Sequence, residues 1–161
     1  MLDDRYGTTL EATTRSRTRG PRPRVWDLIR SPSASVVLTP SCVEASYQDE
    51  TRGVGEVQVF VHDSGDGLLT TTRLEIVEYE EGRRALARSL DDPLETVVET
   101  TVSDENELGH VIITHTVWVA LPTRRTPATA ARLQDELAAD LDQLASRLPL
   151  LLDGPRPATE A

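Results

Sequence analysis

Apolar and polar residues alternate along most of the chain, and near its C-terminus the apolar spacing changes to three and four. That change of period separates strands from helices. Over residues 8–16, Leu10, Ala12 and Thr14 alternate with Glu11 and Thr13, which predicts a half-buried strand that Gly20-Pro21 breaks. Pro23 suits the first turn of a helix with Val25, Trp26, Leu28 and Ile29 on its apolar side, and Ser31-Pro32 repeats that start signal for a second short helix stopped by Pro40. Strands are then predicted over residues 43–48, 57–62, 69–79, 83–89, 94–102 and 109–121. Gly53, Asp63-Ser64-Gly65-Asp66-Gly67, Glu81-Gly82 and Asp91-Asp92-Pro93 mark the turns, with a polar loop over 103–109. These links are too short for a parallel return, which needs about a dozen residues. The strands therefore form an antiparallel meander, with the first strand pairing at an edge.

Thr126-Pro127 opens the last helix, cap then proline. Ala130, Leu133, Leu137, Leu141, Leu144 and Leu148 form its apolar stripe, with Asp135, Glu136, Asp140 and Asp142 on the other side. Residues 127–148 span about 33 Å, and Pro149 is expected to end the helix. The fold class is α+β: a curved seven-stranded antiparallel sheet wrapped around a long C-terminal helix, with two short helices after the first strand. One domain is expected over 8–152, with flexible termini at 1–7 and 153–161.

A sheet of long strands twists and bends, so a straight helix laid across it touches only along part of its length. The remaining gap is either filled by large side chains or left as a cavity. Composition bears on that choice, because only six of the 161 residues are aromatic.

Charge removes one class of partner. The net charge is −10, and all 17 basic residues are arginines that are scattered except for Arg15, Arg17, Arg19, Arg22 and Arg24. Binding to a nucleic acid duplex needs a continuous basic stripe, and this short run reads as a solvated strand end, so nucleic acid is not expected as a partner. The single Cys42 excludes an intramolecular disulfide and reads as a small buried hydrophobe. Asp3 and Asp4 near the start do not belong to a secretory signal, and no apolar run approaches 18 residues, so the cytoplasm is the expected location.

The element order resembles that of the START-like superfamily, also called SRPBCC or polyketide cyclase/dehydrase-like. The resemblance runs over residues 8–152. It is carried by Arg24-Val25-Trp26-Asp27-Leu28-Ile29 after the first strand, Gly53-Val54-Gly55-Glu56 opening a middle strand, Leu74-Glu75-Ile76-Val77-Glu78-Tyr79-Glu80-Glu81 before a turn with Arg83 and Arg84, and Gly109 opening the last strand. It implies the helix-grip fold. It does not imply an activity, because the superfamily includes lipid and sterol carriers, hormone receptors, aromatase/cyclases, quinone-binding and co-chaperone modules without a shared catalytic motif.

Few residues point to chemistry. His110 and His115 lie five apart on one strand and face opposite ways, and His62 ends another, so no metal site is read from them. Asp63-Ser64-Gly65-Asp66-Gly67 has the acids of a calcium loop at the wrong spacing, with Leu74 where the bidentate glutamate belongs. Gly53-Val54-Gly55 lacks the third glycine of a phosphate cradle, no nucleophile elbow occurs, and no cofactor is expected. His115 shares a face with Val111, Ile113, Val117 and Val119. It is either a satisfied core residue or a cavity group that hydrogen-bonds a ligand or exchanges protons with it. Arg73, Glu75, Val77 and Tyr79 alternate onto one strand face. If that face is the inner one, Arg73 and Tyr79 would orient a ligand carboxylate, phenol or carbonyl; otherwise Arg73 and Glu75 form an outward ion pair. The expected cavity wall adds Trp26, Val57, Val59, Val117 and Trp118, roofed by Leu133, Leu137, Leu141 and Leu144.

Three functions fit these features. The first is binding of a hydrophobic or semi-polar small molecule (lipid-, polyketide- or isoprenoid-like) between sheet and helix. The second is a polyketide aromatase/cyclase using His115, Arg73, Glu75 and Tyr79. The third is a protein-interaction module whose groove is filled by its own side chains, its protein partner unspecified.

Overall fold

The computed structural model describes residues 7–92, 94–122 and 125–153. The expected termini, apart from Gly7 and Asp153, and Pro93 of the predicted turn lie outside them. Strand β1 (Thr8–Arg19) leads into helices α1 (Arg22–Arg30) and α2 (Ala34–Leu38). Strands β2 (Cys42–Tyr47), β3 (Val57–Asp63), β4 (Leu69–Glu80), β5 (Arg84–Leu90), β6 (Glu95–Val102) and β7 (His110–Leu121) follow, then helix α3 (Pro127–Leu152). The seven strands form one antiparallel sheet in the order β1-β7-β6-β5-β4-β3-β2, the predicted meander with β1 at its edge.

Every second residue of the strands enters the core from the face that carries the helices. Leu10, Ala12, Phe60, Ile76, Ala85, Ala87, Val102, Val111 and Ile113 are buried on that inner face. Val25 and Trp26 of α1, Ala34 and Leu38 of α2, and Leu148 and Leu152 of α3 join them from the other side. Burying each large side chain contributes roughly 1.5–3 kcal/mol. Among the described residues, no helix is long and apolar enough to cross a membrane.

Helix α3 starts where expected, with the Thr126 hydroxyl accepting a hydrogen bond from Thr129 N at 3.2 Å. It runs past its expected end, because Pro149 lies inside it and helical structure continues to Leu152. Proline costs a helix one N–H bond and crowds the carbonyl four residues earlier. Here that cost falls in the last turn, where Leu148 and Leu152 are one turn apart and both buried, and where Arg24 donates to the Leu152 carbonyl at 2.8 Å. Packing of the final turn outweighs the local defect.

The other end of α3 rests on the sheet edge. The Gln134 side-chain amide accepts from Glu11 N at 3.2 Å and donates to Glu11 O. It bonds to β1 as a neighbouring strand would, so this part of an otherwise open edge is covered. Arg147 Nε donates to Val37 O at 2.6 Å, tying α3 to α2. The helix backbone approaches β1, α2 and α1 most closely.

One irregularity changes which residues face inward. Between Ile76 and Glu78 the β4–β5 register shifts, leaving Val77 without a partner. A bulge of this kind reverses the alternation beyond it. Arg73 and Glu75 lie before it and Tyr79 after it, so the expected common face of these residues does not form.

Because α3 continues past Pro149, Leu152→Ala will cost about 2 kcal/mol or more in urea denaturation, while exposed Leu150→Ala will stay within about 0.5 kcal/mol. A chain that ended its helix at Pro149 would tolerate both substitutions equally.

Candidate functional site

Where α3 stands off the sheet, a cavity of about 140 Å³ remains. Its floor is the inner face of β3 to β7, with Gln58, Phe60, Leu74, Ile76, Ala85, Ala87, Val98, Thr100 and His115. Ile29 and Arg30 of α1, Ala34, Ser35 and Leu38 of α2, and Leu144 of α3 close it. The small side chains at Ala34, Ala85 and Ala87 leave the space that larger residues would fill. Leu38 and Leu144 also line a groove of about 400 Å³ between α2, α3 and Val117, which includes Leu137 and Leu141. The groove thus opens next to the cavity, with those two leucines between them.

His115 sits on β7 between Thr14 of β1 and Thr100 of β6, and is only 7% exposed. Its Nδ1 lies 3.1 Å from Thr100 Oγ1, while its Nε2 is buried without a hydrogen-bond partner. Burial lowers its pKa from 6.5 to about 4, so the ring is neutral at pH 7.

The cavity reaches a second polar group through Arg30, which also lines an open cleft of about 460 Å³ between the C-terminal half of α1 and the β2–β3 loop. There Glu56, 1% exposed, accepts from Arg30 Nη2 at 3.1 Å on both carboxylate oxygens. Gln58 donates to Glu56 Oε1 at 2.6 Å and to the Arg30 carbonyl at 3.2 Å, and Gly53 N donates to Glu56 Oε2 at 3.3 Å. The Arg30 guanidinium lies 5.0 Å from the centre of the Tyr79 ring and 5.8 Å from that of Trp26. Tyr79 accepts from Trp26 Nε1 at 3.4 Å and donates to Glu81, and burial, then the Glu81 carboxylate, raises its pKa. This cluster joins α1 to the β2–β3 loop with its buried charges matched.

The sequence-predicted residues separate into four places. His115 and Leu144 line the cavity. Val117, Leu137 and Leu141 line the adjoining groove. Trp26 and Tyr79 line the open cleft, and Leu133 is half-buried on α3 outside these three spaces. Val57, Val59, Arg73, Glu75 and Trp118 belong to the outer face; this corrects the place of Val57, Val59 and Trp118 in the wall, while for Arg73 and Glu75 it is the outward alternative, with partners other than each other. Val57 and Val59 stand opposite Glu75 and Arg73; Arg73 binds Gln48 and Asp91, and Glu75 accepts from Arg88. Trp118 lies in an outer depression with Leu86, Val97 and the Arg84–Glu99 pair.

Sequence reasoning missed Gln58 and Phe60 because it placed the valines of β3 inward. One signal was available: Phe60 is the chain's only phenylalanine and shares its strand face with Glu56 and Gln58, alternating with the valines. Ala85 and Ala87 carried no signal, since which strand faces a gap depends on register between strands.

Two measurements follow. Because the folded-state pKa of His115 lies below its unfolded value, the unfolded chain binds an extra proton between about pH 6.5 and 4. Stability contributed by the neutral ring is therefore present above pH 6.5 and lost as pH falls, by about 3 kcal/mol in all. Urea denaturation of wild type and His115→Leu at pH 7 and 5 will show the steeper loss in wild type. Glu56→Ala will cost about 3 kcal/mol by stranding buried Arg30, and adding Arg30→Met will recover part of that loss.

The architecture has counterparts among solved structures. Ara h 8.0201 superposes with a TM-score of 0.62 at 12% identity, over 86% of this chain and 97% of its own. The di-domain ARO/CYC BexL from the BE-7585A biosynthetic pathway superposes with a TM-score of 0.63 at 16% identity, over 92% of this chain and 51% of its own. The chain thus spans about half of that di-domain protein. No protein-family model and no curated protein matches the sequence. At these identities the likeness speaks for the fold alone, and with the open meander, the two helices after β1 and the long terminal helix it shows that this chain has the helix-grip fold.

Proposed function

We propose that the protein binds a small hydrophobic or semi-polar molecule in the cavity between the sheet and helices α2 and α3. The observation that carries this reading is the void itself: α3 is held at the sheet edge and by the other helices, and the alanines beneath it do not fill the space. Its size limits the occupant. A comparable apolar void of about 150 Å³ holds benzene, so about 140 Å³ suits one ring and excludes a long lipid or a folded polyketide chain. A larger ligand would need Leu38 and Leu144 to part, joining cavity to groove.

A cyclase would need converging polar groups inside the cavity. Arg73 and Glu75 face outward and Tyr79 lines the cleft, so the set proposed from sequence is not assembled around His115. The void also weakens the reading of a self-filled interaction module.

Calorimetric titration with toluene tests the proposal. Wild type is expected to bind it, and Ala87→Leu, which places a larger side chain in the void, is expected to weaken binding at least tenfold while the far-ultraviolet circular dichroism stays unchanged. Absence of toluene binding by wild type would overturn the reading.

A further inference from the structure

We propose that the cavity selects neutral, single-ring molecules carrying one hydroxyl group, such as a phenol or a cyclic alcohol, anchored by a hydrogen bond to His115 Nε2. This inference rests on the cavity being a ligand site. His115 lines the cavity together with the apolar side chains of Ile76, Ala87, Val98 and Leu144, and its Nε2 is buried without a hydrogen-bond partner. A buried polar atom without a partner costs roughly 1–3 kcal/mol, so Nε2, unpartnered on a side chain that lines the cavity, marks a position where a bound molecule would supply the missing bond.

The other polar side chains of the lining are largely occupied. The Arg30 charge is matched by Glu56, although Arg30 Nε has no hydrogen-bond partner, and the Gln58 amide nitrogen is held between Glu56 and the Arg30 carbonyl. Thr100 is already engaged with His115 Nδ1. The cavity therefore offers no unmatched charge, and a carboxylate or ammonium entering it would be desolvated without a counter-ion.

The hydroxyl follows from the tautomer. If Thr100 donates to Nδ1, Nε2 carries the ring proton and donates; if Nδ1 donates to Thr100, Nε2 accepts. A hydroxyl group answers either arrangement, whereas a ketone answers only the first. The ring follows from volume, since one six-membered ring with a single substituent occupies a space of this size.

The test is calorimetric titration of the full chain with toluene, phenol and benzoate, using wild type, His115→Leu and His115→Gln. Relative to toluene, phenol is expected to lose about tenfold in affinity in His115→Leu, the loss of one buried hydrogen bond. His115→Gln, whose amide reaches a similar position and can donate or accept, should restore most of it. Benzoate should bind wild type at least tenfold more weakly than phenol. An unchanged phenol-to-toluene ratio in His115→Leu, or benzoate binding as tightly as phenol, would overturn the hydroxyl assignment while leaving the cavity reading standing. Failure of wild type to bind either neutral probe would remove the cavity reading and this inference with it. If His115→Leu does not fold, nitrogen-15 NMR of wild type decides: the His115 Nε2 resonance must move with phenol and stay in place with toluene, and any other pattern counts against the anchor.

Discussion

The position of helix α3 is the constraint on which the rest of the molecule depends. It is fastened at one end by Gln134 to the backbone of edge strand β1 and at the other by Leu148 and Leu152 in the core, with Arg147 and Arg24 tying it to the two short helices. Held at both ends, it cannot sink onto the middle of the sheet. The sheet, twisted by the ordinary geometry of long strands, cannot rise to meet it. What lies between is set by the side chains of α2 and β5, and those are small at Ala34, Ala85 and Ala87.

Two buried polar groups stand near that space, and they differ in how they are satisfied. Arg30 and Glu56 cancel each other's charge, and Gln58 and Gly53 complete the carboxylate's hydrogen bonds. Such a pair adds little net stability but is costly to break, which suits a joint between α1 and the β2–β3 loop. His115 meets the same low-dielectric surroundings by staying neutral and leaves one nitrogen unsatisfied. The first arrangement matches its charges and leaves only Arg30 Nε without a partner, while the second leaves a bonding position on a side chain that lines the cavity.

The outer face of the sheet is organised differently. Glu75, Glu78, Arg84, Arg88 and Glu99 form cross-strand ion pairs, and Arg73 pairs with Asp91 just after β5, over a partly covered layer that includes Val57, Val59, Leu86 and Trp118. Exposed pairs of this kind contribute little each. They do keep an apolar second face wet, and they explain why both faces of β3 carry apolar residues.

Much of the architecture was legible in the sequence. Strand periodicity, hairpin-sized turns and the leucine stripe require an antiparallel meander with a long terminal helix, because each is a local property of neighbouring residues. Thr126-Pro127 marked the start of α3 for the same reason. The candidate site was legible only in part: His115 and Leu144 were named, whereas Gln58, Phe60, Ala85 and Ala87 were not; Trp118, Val57 and Val59 were assigned to the wrong face, and the face of Arg73 and Glu75 was left open. Which side of a strand faces inward follows from register with its neighbours, and one unpaired residue at Val77 reverses it. The helix past Pro149 likewise depends on a core that the chain assembles from distant segments. Local pattern thus determined which elements form, and tertiary packing alone decided which of their faces meet and how much room is left between them.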